Sequence, residues 1–174
     1  MYRDIVTVAK SLYRLSLVDP WQRLYYILGR LSGHLTTMMG DSMGELGSLV
    51  GRFDNELTVG VLLSAVATKA YLDARQRGFD ISALRYEDLV ARPLDMCHVV
   101  LEFCRLPVSL AQLAVTAFDV DSQRNSFAAM SKIGHFKEPQ LTPHTKAQLD
   151  ELLKQFELPL IGEPDIIEGT LVCC

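Results

Sequence analysis

The 174-residue sequence lacks several features that would place a protein in a class at once. Its longest stretches without a charged residue, residues 57–68 and 106–118, are shorter than the roughly 20 residues that a membrane-spanning helix needs. No apolar core of a secretory signal follows the first residues. The formal net charge is -4, so the chain as a whole presents no basic footprint for nucleic acid or an anionic membrane.

The four cysteines do not decide the cellular compartment. Cys97 and Cys104 are seven residues apart in a helical pattern, which predicts that both lie on one buried face, since a free cysteine behaves as a small hydrophobe. A zinc site would need four ligands at recognisable spacing, and His98 falls off that face. The terminal pair, Cys173 and Cys174, lacks the prenylation signal with Cys fourth from the end, so the pattern predicts a frayed tail.

The composition is that of one globular domain covering residues 1–174, with 49% hydrophobic and 22% charged residues. Charge is distributed unevenly along it. Residues 1–40 carry five basic and two acidic side chains, whereas the remainder carries twelve basic and nineteen acidic ones. If the chain binds an anion, the N-terminal segment is therefore the better candidate.

Apolar periodicity and helix-end signals predict six helices and one strand. The helices cover about 4–17, 21–35, 58–77, 93–104, 109–117 and 142–156, and a glycine-rich loop covers 40–55. That loop lacks the Gly-Lys-Ser/Thr of a phosphate-binding P-loop, which leaves a connector or a lid over a ligand. The strand, residues 81–86, needs pairing partners, and we expect them before Met1 or outside this chain. Three finer expectations concern these helices. Thr58 should cap the helix that it begins, and Leu110 and Leu113 should belong to the buried face of the helix at 109–117. Asp150 and Lys154 should form an ion pair on the exposed side of the last helix.

The residues after this strand resemble a known family. Residues 84–93 read Leu-Arg-Tyr-Glu-Asp-Leu-Val-Ala-Arg-Pro, and an amphipathic helix ending in Leu-Glu-Phe follows. Near the start of the chain, Arg3 and Ser11 are eight residues apart. The polar stretches 121–126 and 132–137 are similar to late cofactor loops. Together these features resemble the second half of the PAPS-dependent sulfotransferases, which are related in fold to P-loop kinases.

The resemblance implies an α/β, P-loop-like fold that is mostly helical in this chain, with few parallel strands. It implies PAPS as co-substrate, a hydroxyl-bearing carbohydrate or small molecule as acceptor, and no metal. Arg3 and Ser11 would bind the 3′-phosphate, Tyr86 would lie near the adenine, and Lys132 would meet a phosphate. A guanidinium fork and a hydroxyl are suitable donors for phosphate oxygens.

The sequence also departs from the family. The phosphosulfate loop and the catalytic base should precede the Arg3 segment, and all four histidines follow it. We therefore expect the C-terminal portion of such a domain, inactive when alone. The alternative is a non-catalytic helical binding or interaction module derived from a nucleotide-binding fold. Family members occur in the cytosol and in the Golgi, and the sequence favours neither.

Overall fold

The computed structural model describes residues 1–18, 55–119 and 134–173. Helices make up 61% of these residues and paired extended residues 3%, and no sheet forms among them. The prediction of an α/β fold is therefore wrong. The apolar surface of the described chain is buried between helices, and its extended residues meet only at single bridges.

Five of the six described α-helices lie close to predicted ones, and the helix at Tyr86–Ala91 was not predicted. The described residues form six α-helices and two short 3-10 turns, at residues Val108–Leu110 and Ala117–Asp119. The α-helices are α1 (Ile5–Val18), α2 (Thr58–Gln76), α3 (Tyr86–Ala91), α4 (Pro93–Phe103), α5 (Ala111–Thr116) and α6 (Pro143–Gln155). The predicted helix at 21–35, nearly all of the glycine-rich loop, and the stretch 121–126 lie outside the described residues.

The ends of the helices follow from local chemistry. The Thr142 hydroxyl accepts from the Thr145 amide at 3.1 Å, which caps α6, and prolines open α4 and α6. Gly78, with φ of 88°, follows α2, as expected of a residue in the left-handed region after a helix. The predicted Thr58 cap is wrong, because Leu57 holds the cap position without a side-chain bond and Thr58 is already helical.

The main hydrophobic core lies where α2 packs between α1 and α6, and we call these three helices the inner helices. Leu149 and Leu152 of α6 are fully buried in one cluster with Val61 of α2. Gly60 allows α1 and α2 to approach closely, because a Cβ at this position would lie 2.6 Å from Ala9 Cα. This small-residue contact fixes the distance between α1 and α2.

The extended residues form two isolated parallel bridges, Tyr2 with Arg85 and Ala83 with Thr170. The Tyr2 amide donates to the Leu84 carbonyl at 2.8 Å, and the Ala83 amide donates to the Gly169 carbonyl at 3.0 Å. The predicted strand thus finds neighbours on both sides within this chain. The expectation that its partners lie outside the chain was wrong for these residues.

The outer helices, α3 to α5, form a second group with a thin core. Met96, Cys97 and Ala111 are buried there. The predicted buried stripe is wrong, because Leu110 is 43% and Leu113 is 69% exposed. Their periodicity marks one apolar face of a helix, but no described element covers that face.

Three smaller expectations also change. Cys104 is exposed, because α4 ends at Phe103 and Cys104 no longer shares the buried face of Cys97. Asp150 pairs with Lys146 at 2.6 Å rather than with Lys154, and it also accepts from the Ile161 amide at 2.9 Å. In the predicted frayed tail, the Cys173 thiol contacts the Met96 sulfur at 3.1 Å.

Candidate functional site

The bridge between Tyr2 and Arg85 brings Arg3 beside Tyr86. The Tyr86 amide donates to the Tyr2 carbonyl at 2.8 Å, so the residues that follow each partner are neighbours. The Arg3 guanidinium carbon lies 4.6 Å from the centre of the Tyr86 ring. This is a cation–π contact, and the side chain of Arg3 remains 40% exposed. Two of the residues singled out by the resemblance are thus in contact.

Glu87 is a member of this cluster that the sequence reasoning missed. Its Oε1 accepts from the Asp4 amide at 3.1 Å and lies 3.9 Å from Arg3 Nε. Asp4 caps α1, because its Oδ1 accepts from the Thr7 amide at 2.7 Å. The carboxylate of Glu87 therefore lies at the N-terminal end of α1, where the helix dipole favours negative charge. The spacing of 83 residues between Asp4 and Glu87 leaves no local signal of this contact.

Arg85 is the second guanidinium of the cluster. Its Nη2 lies 2.8 Å from Asp165, its Nη1 3.6 Å from Asp88, and its Nε 3.9 Å from Glu87. Partial burial acts to lower the pKa of Arg85, but the hydrogen bond and charge of Asp165 and the charges of Asp88 and Glu87 outweigh it. The net direction of the pKa is upward, so Arg85 stays charged.

A cleft of about 350 Å³ opens beside the two arginines. Its apolar wall includes Ile5, Leu153 and Ile161, and its polar part includes Arg3 and Arg85. A volume of this size falls within the range of small-molecule pockets. The lining also holds three carboxylates, so the cleft is not a simple basic pocket; these residues are Asp4, Glu163 and Asp165.

The structure does not bring the other predicted site residues into this cluster. Ser11 lies within α1, six residues after Ile5, which corresponds to about 9 Å along the helix axis. It forms no hydrogen bond to Arg3 within the described part of the chain and is partly exposed. Lys132 lies outside the described residues.

Three further observations bear on the site. No group of three or more His, Cys, Asp or Glu side chains suited to a metal ion occurs among residues 1–18, 55–119 and 134–173. In the same ranges, no helix is both long and apolar enough to cross a membrane. Comparisons of the chain with protein-family profiles, curated proteins and solved structures found no match.

Proposed function

We propose that this chain binds a 3′-phosphorylated adenine nucleotide of the PAPS class at Arg3 and Tyr86. The observation that carries the proposal is the contact between these two side chains beside the N-terminus of α1. A half-exposed guanidinium supplies a planar set of donors for phosphate oxygens. An aromatic ring next to it offers a surface for a purine. In a complete protein, the reaction would be transfer of a sulfuryl group from PAPS to a hydroxyl group of a carbohydrate or small molecule.

The position of the cluster supports an anion site on physical grounds. Arg3 lies two residues before Ile5, where α1 begins, so its charge adds to the positive end of the helix dipole. The first-turn amides of a helix lack intrahelical partners and can bind an anion, although the Thr7 amide of α1 already donates to Asp4 Oδ1. Ser11 would reach the ligand only through its hydroxyl, because its amide lies inside α1.

Titration calorimetry with adenosine 3′,5′-bisphosphate tests this proposal. We expect Arg3→Ala to weaken binding by about tenfold or more, because a hydrogen bond to a charged group contributes about 1.5–3 kcal/mol. Ser11→Ala should weaken binding less, since it removes one neutral donor. Adenosine 5′-monophosphate, which lacks the 3′-phosphate, should bind more weakly than the bisphosphate.

Arg77→Ala is the matched control, because it removes the same charge from an exposed position after α2. Equal losses for Arg3→Ala and Arg77→Ala would indicate a general charge effect and contradict the proposed site. No turnover is expected from this chain with labelled PAPS and a panel of hydroxyl acceptors. Sulfated product above background would contradict that part of the proposal.

A second candidate function is a non-catalytic interaction module. The observation that favours it is the number of large apolar side chains exposed on and beside the outer helices. A contiguous exposed apolar surface is typical of protein-binding regions. Absence of any heat with adenosine 3′,5′-bisphosphate, in a chain shown to be folded by circular dichroism, would favour this function over nucleotide binding. These exposed side chains are Val90, Leu94, Phe103, Leu106, Val108, Leu110, Leu113 and Phe118.

A further inference from the structure

The carboxylate of Glu87 occupies the position in which an anion would meet this cluster. One oxygen accepts from the Asp4 amide at 3.1 Å, and the same oxygen lies 3.9 Å from Arg3 Nε. The other oxygen lies 3.9 Å from Arg85 Nε. Two guanidinium groups and a backbone amide at a helix start therefore converge on one internal negative group.

This carboxylate does not satisfy the groups that surround it. Glu87 Oε2 and Arg85 Nε are both buried atoms, and neither has a hydrogen-bond partner among the described residues. Their separation of 3.9 Å is too long for a charged N–H···O bond, which is about 2.7–2.9 Å. Buried polar groups are normally paired, and leaving them unpaired costs free energy. The surroundings of Glu87 thus offer more donor capacity than one carboxylate uses.

We infer that Glu87 is an internal competitor that determines how tightly this site binds a tetrahedral oxyanion. The inference rests on the proposed function, since it concerns the same arginine. A phosphoryl or sulfuryl group presents three oxygens in three directions. It is therefore able to bond the amide and both guanidinium groups at once, which the two oxygens of a carboxylate do not.

The geometry also allows Glu87 to leave. Its side chain is 32% exposed and belongs to the first turn of α3, a helix of only six residues. Rotation of the side chain toward solvent would release Arg3 and the Asp4 amide together. If Glu87 remained in place, its negative charge would repel the entering group at short range. Binding of the anion and departure of Glu87 are thus coupled.

Two variants of the full chain test this inference by calorimetry, with inorganic phosphate and adenosine 3′,5′-bisphosphate as separate probes. Glu87→Gln removes the charge but keeps an oxygen for the Asp4 amide, and we expect it to bind either probe about tenfold more tightly than the unmodified chain. Glu87→Ala removes the competitor entirely and should give a similar gain. Circular dichroism and thermal melting establish whether each variant is folded. If only one of the two variants folds, the affinity of that variant decides whether the inference holds.

Glu102→Gln is the matched control, since it removes the same charge from an exposed position near the end of α4. A tenfold gain in affinity for Glu87→Gln or Glu87→Ala, without a gain for Glu102→Gln, supports the inference. Adding Arg3→Ala to Glu87→Gln should abolish that gain in affinity. A gain for inorganic phosphate without tighter nucleotide binding supports Glu87 as competitor and contradicts the proposed nucleotide function. Unchanged affinity in the folded Glu87 variants overturns the inference, while an Arg3-dependent affinity for the nucleotide would still support the proposed function.

Discussion

The inner helices and the outer helices differ in what covers their apolar faces. Where α2 packs against α1 and α6, apolar side chains form one cluster withdrawn from water, which includes Leu149 and Leu152 of α6. The outer helices bury few large side chains and leave Leu113 69% exposed. The two groups have similar apolar periodicity in sequence. The comparison shows that periodicity identifies an apolar face, whereas burial depends on whether another element lies opposite it.

The same substitution in the two groups should have very different effects. Leu152→Ala is expected to lower the free energy of unfolding by about 2–5 kcal/mol, because it removes a fully buried side chain and leaves a cavity. Leu113→Ala should change it by less than about 0.5 kcal/mol, as is typical of exposed positions. Urea denaturation of both variants measures the difference. Similar losses would show that the Leu113 face is covered in solution.

The close approach of α1 and α2 at Gly60 predicts the sign of the stability change when this glycine is replaced by alanine. Glycine to alanine in an ordinary helix interior stabilises by about 0.5–1 kcal/mol. At Gly60 the new methyl group would meet Ala9 Cα at 2.6 Å, so Gly60→Ala should instead destabilise by about 1–3 kcal/mol. Thermal melting measures this change. A higher melting temperature would show that α1 and α2 are not in contact at this point.

Cysteine reactivity tests the packing of the outer helices without any substitution. Burial raises the pKa of the Cys97 thiol, so less thiolate forms at neutral pH and alkylation should accelerate only at more alkaline pH than for an ordinary thiol. Cys104 is exposed and should react first. Peptide mapping by mass spectrometry after timed iodoacetamide treatment separates the two. Equal rates in the native protein would show that the outer helices open readily.

Local chemistry made several elements of the fold predictable. Proline and glycine mark helix ends because of their backbone geometry. The structure has helix ends at Pro93, Pro143 and Gly78, as these residues predict. The extended character of residues 81–85 was also readable from their residue types, but Tyr86, which was predicted to end the strand, begins α3. Apolar periodicity did not reveal the fold class. The predicted strand forms only two isolated parallel bridges among the described residues, and these do not make a sheet.

The candidate site was predictable only in part, for a related reason. Arg3 and Tyr86 were singled out by resemblance, but their contact depends on a backbone bridge between distant segments. Glu87 was not among the residues that the resemblance singled out. Its partners, the Asp4 amide and Arg3, are more than 80 residues away, and no spacing rule connects them. Long-range contacts of this kind are fixed by packing of the whole chain.

The two bridges become possible at different times during synthesis of the chain. The segment around Ala83 has one neighbour, Tyr2, that a ribosome makes before it, and another, Thr170, that is made about 87 residues later. At roughly 5–20 residues per second, the second neighbour is completed on the order of 4–17 s after the first pairing becomes available. Until then one edge of this extended segment has its amides and carbonyls open to any other chain nearby. That edge is covered once Thr170 and its neighbours have been made and have paired with the segment around Ala83.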